Sequence, residues 1–435
     1  MTTPDAPPGK RRWFQLATID ITPLRRHRDF RLLFIGRLVS FFGTMITVVA
    51  FPFQVYQLSH SVLLVGVLGL LEFATLFVFA MVGGALADAV DRRSMVLLTE
   101  AGLMACSLIL AVNAALSNPQ LWVLFAITVL WGLLDAIQRP SLSALLPRLV
   151  DRNELAAAGS LDNLRSTLGQ ILGPALGGVL LAAIGVPLTY MVDVATFVVG
   201  LACLWLMREV PPPVDAERPS LRRVVEGLRY AASRPELIGT YAVDMIAMFF
   251  GMPMALFPAI AQSLGGPGVL GLLYAAPAVG SFLFSATSGW TGRVHRHGLA
   301  VIVAAVIWGA AIIGFGFAPG IVVALAFLAV AGAADMMSGL FRNVIWNQTI
   351  PDSLRGRLAS IEMLSYTSGP ALGNFEAGLV ASLFSVRVSI VSGGILCVLG
   401  CLMCALVLPA FRNYDSQGYD HTPDPDPGSV KRERR

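Results

Sequence analysis

Arg37, Glu72, Glu100, Asp135, Arg165, Asp193, Asp244, Asp335 and Glu376 all lie inside long apolar stretches of this sequence. An ionisable side chain in such a stretch costs at least about 2.5 kcal/mol on membrane-insertion scales, so each one needs a partner, a cavity or a task. The chemistry open to these residue types is proton uptake and release. Glu72 and Glu376 sit mid-stretch with no adjacent basic residue. Low dielectric penalises the charged form of a carboxyl, which suits a group that must load and release a proton, and these two are the first proton-carrier candidates. The competing reading is a neutral acid hydrogen-bonded to a neighbouring helix. Asp193 and Asp244 come next as proton or substrate groups, although Asp193, like Glu100, Asp135 and Asp335, lies nearer a stretch boundary, where a structural role is more common. Arg165 can pair locally with Asp162. His60, His295 and His297 fall in or beside loops, and Cys397, Cys401 and Cys404 have no His or acidic partner nearby. No metal and no cofactor is expected.

The elements that must position these groups are set by composition. Of 435 residues, 56% are hydrophobic and 13% charged, where a soluble domain carries about 25% charged residues. The solvent is lipid, and the all-α class follows. Apolar windows long enough to span fall near 31–56, 62–87, 95–116, 121–142, 158–184, 187–207, 236–261, 267–290, 298–317, 320–342, 358–383 and 387–410, twelve in all. Alternate connections, at Leu58 to Ser61, Ser117 to Gln120, Gly185 to Pro187, Leu264 to Pro267, Ala318 to Pro319 and Ser385 to Arg387, contain only Arg387. The others hold Arg92 and Arg93, Arg148 and Arg152, Arg208 to Arg234, Arg293 and Arg296, and Arg355 and Arg357. The positive-inside rule then predicts a multi-pass protein of the plasma (inner) membrane with both termini cytoplasmic. The net charge of +4 is an orientation signal in short loops and no pointer to nucleic acid.

Five regions follow: a cytoplasmic segment 1–30, a six-helix bundle 31–207, a cytoplasmic connection 208–235, a second bundle 236–410 and a disordered cytoplasmic tail 411–435. Residues 1–29 are polar and basic, so no cleaved secretory signal is expected. The connection after the Pro211 to Pro213 run interleaves Leu221, Val224, Val225 and Leu228 with Arg222, Arg223 and Arg229, an amphipathic surface helix by pattern. The bundles look duplicated. Gly173-Pro-Ala-Leu-Gly177 recurs as Gly369-Pro-Ala-Leu-Gly373, Asp135 as Asp335 and Ser160 as Ser360. An offset near 200 at equivalent spans points to two pseudo-symmetric halves, an architecture of secondary transporters.

Two motifs stand out. Gly83-Gly-Ala-Leu-Ala-Asp88-Ala-Val-Asp91-Arg92-Arg93 joins the second and third spans, with Gly84 and Ala87 small enough for close helix approach and Asp88 one turn from Arg92. The bland reading is a positive-inside loop with a chance Asp. In the fifth span, Gly169, Gly173, Gly177 and Gly178 flank Pro174, a grooved and bent rod. The first motif resembles the signature loop of the major facilitator superfamily. That resemblance implies that Asp88 caps the eleventh helix and that Arg92 pairs with an acid at the inner end of the fourth span, here Asp135, latching one transport state. The equivalent loop Gly289 to Arg296 is degenerate, with Arg293 in place of the Asp. The fifth-span pattern resembles the antiporter motif of exporters in the same superfamily.

Phe30 to Ser40, the run to His60-Ser61, Glu226 to Tyr230, Leu272 to Ala276 and Pro351 to Arg357 resemble the enterobactin exporter branch, which also holds macrolide and tetracycline efflux proteins. The chain departs from drug exporters in one respect: no Arg lies in the middle of the fourth span, and Arg139 falls only at its inner end. In this superfamily the first and seventh helices line the cavity, so an Arg37 to Asp244 contact across the halves is favoured over separate local pairings. Phe41, Phe42, Phe51, Phe53, Tyr56, Phe249, Phe250 and Phe257 would supply an aromatic wall there, or else face lipid. The resemblance implies a monomeric twelve-helix major facilitator fold that exports a small amphipathic molecule, a siderophore or antibiotic, in exchange for protons by rocker-switch alternating access. No Gly-x-x-x-x-Gly-Lys-Ser/Thr loop is present, so ATP is not the direct fuel. A lysophospholipid flippase of the same fold is the alternative. A membrane-embedded transferase would need a polar cluster on a sizeable loop, and no enzyme is expected.

Overall fold

The computed structural model describes residues 20–89, 91–208, 229–351 and 354–415, and the regular structure in them is helical. The membrane-length helices are α1 (Arg28–Ser59), α2 (Val62–Ala89), α3 (Arg92–Ala115) and α4 (Leu121–Leu145), then Leu155–Trp205, whose two arms are α5 and α6. They continue as α7 (Pro235–Phe250), α8 (Pro267–Thr287), α9 (His297–Gly316), α10 (Ile321–Thr349), α11 (Arg355–Leu383) and α12 (Val386–Val407). Among the described residues, ten helical segments are long and apolar enough to cross a membrane. One of the ten carries the 51-residue helix Leu155–Trp205. A straight helix of that length would run about 75 Å, more than twice a hydrocarbon core of about 30 Å. It turns at Gly185, whose φ of 75° is left-handed and open to glycine at little cost, just before Pro187. Counting both arms gives eleven such segments among the described residues, one short of the expected twelve; α11 is long enough with its 29 residues but more polar, and is not among the ten.

The helix after α7 is interrupted rather than continuous. Pro253 disfavours a helical conformation in Met252, and the chain passes through a short 3-10 turn, Met254–Leu256, before resuming as Phe257–Leu264. Helix contacts divide the chain into two compact units, Met1–Pro219 with Met254–Ala278, and Ser220–Pro253 with Val279–Arg435. The resumed helix and the first part of α8 thus pack within the first unit, although they follow the central connection in sequence.

In the first unit α1 lies along the α5–α6 rod, α3 packs on α6 and α4, and α2 packs on α4. Its interior holds Val49, Ala50, Leu110, Tyr190 and Phe197, with Leu33, Val96, Leu145, Leu204 and Met207 clustered at one end. In the second unit α9 lies between α10 and α12, while α7 packs on α11 and α12. Leu98, Trp205, Val322 and Leu406 point outward and are 69–77% exposed. So much bare apolar surface around the helices is a lipid-facing shell.

The amphipathic pattern at 221–229 falls almost wholly outside the described residues, as do 1–19 and 416–435. The expected tail boundary at 411 shifts outward. Pro409–Arg412 forms one more helical turn, Phe411 is fully buried against Gly239 of α7, and the Tyr414 hydroxyl donates to Gln348 Oε1 of α10 at 3.0 Å. Emptying that site should cost about 3–5 kcal/mol. Phe411→Ala should therefore lower the thermal midpoint of detergent-purified protein clearly.

Candidate functional site

At the start of α3, Asp91 is a helix cap, accepting a hydrogen bond from the Ser94 backbone N–H at 2.8 Å. Arg93 reaches the end of α6, donating from Nε to the Leu204 carbonyl at 2.9 Å and from its terminal nitrogen to the Trp205 carbonyl. A cation there lies at the helix C-terminus, where the partial negative charge of the last carbonyls favours it. The side chains of Gly84 and Asp88 lie outside the described residues. Arg92 Nε is buried without a hydrogen bond, and Asp135 is paired with Arg139 at 2.6 Å. This corrects the expected Arg92 to Asp135 pairing: Arg139 lies one turn along the same helix and reaches the acid without any second helix having to close on it. Glu72 is exposed, and the charges acting on it are Asp135 and Arg139.

Arg37 and Asp244 each find a partner inside their own unit, which corrects the favoured contact between them. Arg37 donates to Asp162 at 3.1 Å, and Arg165 donates to the same oxygen at 2.9 Å while stacking over the Phe41 ring. Asp244 is ion-paired with Arg342 of α10, both nearly enclosed, and the Ser365 hydroxyl lies 3.4 Å from the second Asp244 oxygen. Arg342 escaped the sequence reading because it is the last residue of the expected span. Spacing could have revealed it, since Asp335, Ser338 and Arg342 recur on one face of α10. Asp244, Trp308, Asp335 and Ser338 line a cavity of about 10 Å³. That is about the space of one water, so the site suits water rather than an amphipathic cargo. Glu376 is half-buried on α11, and among the described residues no charged neighbour acts on it.

A second polar seam runs down α1 inside the first unit. Ser40 lies 3.5 Å from Glu100 of α3, Thr47 donates to Asp193 of α6 at 2.7 Å, and Gln54 accepts from the Tyr190 hydroxyl at 2.9 Å. Near one end of α1, Glu154 accepts from Arg26 at 3.1 Å and lies 2.9 Å from His27 Nε2, a contact no sequence pattern announced because the partners are distant in the chain.

The glycine motif faces two ways. A side chain at Gly169 would strike Phe41, one at Gly173 would strike Met45, and one at Gly177 would meet the Ile46 backbone at 3.1 Å, so these three seat α1. Gly178, beside Pro174, faces α8 instead, where a Cβ would come within 2.8 Å of the Gly271 Cα. In the second unit Gly369 and Gly373 meet Met248 and Phe249 of α7 in the same manner. The repeated sequence is therefore a repeated helix contact.

Long apolar helices, arginine-paired acids at membrane depth and duplicated glycine seams together make a multi-pass secondary transporter. A family model described as transmembrane secretion effector matches residues 18–435. The chain belongs to this family of the major facilitator superfamily. It is 31% identical over 392 residues to the enterobactin exporter EntS of Citrobacter koseri, covering 89% of this chain and 94% of that one. It is 30% identical over 399 residues to the Salmonella typhimurium EntS, covering 91% and 96%. Among solved structures, a POT family transporter in complex with 5-aminolevulinic acid aligns with a TM-score of 0.71 at 12% identity, over 88% of this chain and 97% of that one. An inward-facing, unoccupied bacterial homologue of the human lysosomal transporter Spinster aligns with a TM-score of 0.67 at 15% identity, over 89% and 96%. At such identities these structures speak for the fold.

Two outcomes follow. Arg342→Ala strands a buried carboxylate and should destabilise the protein by about 3–5 kcal/mol, whereas Arg342→Met combined with Asp244→Leu should recover most of that loss in a thermal melt. Gly178→Leu should insert into the membrane at normal yield yet lose transport. Gly159→Leu, at a position open to space, should keep both.

Proposed function

We propose that this protein exports a small amphipathic molecule, foremost a siderophore of the enterobactin kind, from the cytoplasm across the inner membrane in exchange for inward-moving protons. The observation that carries the reading is the similarity to enterobactin exporters along nearly the full length of both chains. The remainder is chemistry. Carboxyls at membrane depth supply groups that can titrate, and Glu72, Glu376, Asp193 and Asp244 are the candidates, with Arg37 as a charge that Asp162 holds in place. Two six-helix halves rock about a central cavity; Asp88 and Arg92 stabilise one of the end states, and the Gly178 to Gly271 approach seals the other. The protein works as a monomer with both termini in the cytoplasm.

Reconstituted protein with its cytoplasmic face outward should concentrate enterobactin several-fold when the vesicle lumen is acidified, and a protonophore should abolish the gain. Flux indifferent to the protonophore would remove proton coupling. Transport of a macrolide or tetracycline in place of enterobactin would move the cargo to the antibiotic class, and lysophospholipid movement alone would favour the flippase. Orientation has its own measurement. A single cysteine at Ser117 should react with an impermeant reagent added to intact cells, and one at Ser220 should be protected.

A further inference from the structure

We propose that the coupling proton is carried inside the first unit, on Asp193, with Glu100 as a second station along the same seam. The inference rests on the antiport reading and deepens it by naming the carrier and its surroundings. Asp193 is fully buried on α6. Its Oδ2 accepts from the Thr47 hydroxyl of α1 and the Ser107 hydroxyl of α3, each at 2.7 Å, and its Oδ1 lies 3.4 Å from the Thr196 hydroxyl. Among the described residues, no arginine, lysine or histidine is ion-paired with it. Asp162, Asp135 and Asp244 each have at least one arginine, and Glu154 has Arg26 and His27. Each of those acids has a cationic side chain within ion-pair distance, whereas the partners of Asp193 are hydroxyls.

Hydroxyls suit both states of the group. Each can donate to a carboxylate, and each can rotate to accept from a carboxylic acid, so the proton comes and goes with the heavy atoms in place. An ionised carboxylate without a cation costs several kcal/mol in such surroundings, which opposes permanent charge. A metal cation fits less well. Hard cations such as calcium hold oxygens at roughly 2.3–2.6 Å from the ion, and oxygens already 2.7 Å apart would have to separate to admit one. The opposite wall is Gly43, where any side chain would strike Asp193 and Thr196.

Glu100 of α3 is the second station. It is 5% exposed, Oε1 lies 3.5 Å from the Ser40 hydroxyl, and Oε2 is buried without a hydrogen bond. The groups acting on it are Arg37 of α1, Gln138 of α4 and Asp193 itself, while Tyr190 feels the Asp193 charge. Like charges in one apolar seam disfavour ionising both acids together, so at least one of the two stations holds a proton. From Arg37 to Gln54 this face of α1 rises about 25 Å, against a core of about 30 Å.

The fold does not require these acids. Counted from the starts of the corresponding helices, the second unit has Ala305, Ile312 and Gly393 where the first has Glu100, Ser107 and Asp193.

Infrared difference spectra of the purified full-length protein, titrated in pH, read the site without any cargo. A protonated-carboxyl band should appear and should be lost in Asp193→Asn, and a band unchanged in that variant would overturn the proposal. With enterobactin as probe in vesicles, Asp193→Asn should exchange cargo at equilibrium while its pH-driven accumulation falls at least tenfold; accumulation at the native level would also overturn it. Should Asp193→Asn fail to insert, Thr47→Val with Ser107→Ala retains the acid and should displace the pH at which the band appears, and an undisplaced band counts against the site. Native protein whose enterobactin flux ignores the pH gradient, or follows sodium, would overturn the antiport reading and the coupling role together. The carboxyl band would still report whether Asp193 titrates.

Discussion

Hydrocarbon offers a buried polar group neither a hydrogen bond nor a counter-charge, and the arrangement of both units answers to that constraint. Every acid at depth must be partnered from within the protein, and the partners differ in kind. Asp162 lies between two arginines and Asp244 is clamped to Arg342, so these pairs tie helices together. Asp193 meets hydroxyls alone. Structural and titrating roles separate along that line, since a cation stabilises one protonation state and hydroxyls accommodate two.

Lipid also removes most of the hydrophobic drive for one apolar helix to bind another, so association leans on close packing. Glycine supplies it here. The repeated Gly-Pro-Ala-Leu-Gly sets α5 on α1 and α11 on α7 through equivalent contacts, which is why the motif recurs. Gly178, next to the motif, departs from that pattern by meeting Gly271. One turn of helix thus serves a fixed seam on one face and a crossing with α8 on the other.

The relation between sequence and structure differs from residue to residue. Apolar length placed most helix ends within a few residues, because the membrane sets that length. Local pairs were legible as well: Arg165 with Asp162 follows from helix spacing alone. Asp135 pairs with Arg139 one turn along its own helix rather than with Arg92, a contact that helix spacing also supplies. Gly177 seats α1 while the adjacent Gly178 meets α8, since one residue of register turns a helix by about 100°.

Sequence by itself determined the solvent, the helical class, the lengths that can cross and the duplication, because these depend on composition and period, which survive without knowing which helix neighbours which. It also marked the acids that would need an explanation. Tertiary structure decided what each acid meets. Thr47, Ser107 and Asp193 lie on three helices far apart in the chain, and no periodicity encodes the rotation that turns them toward one point. That rotation is set by the packing of whole helices, so the character of a buried carboxyl, clamped or free to titrate, is a property of the assembled unit.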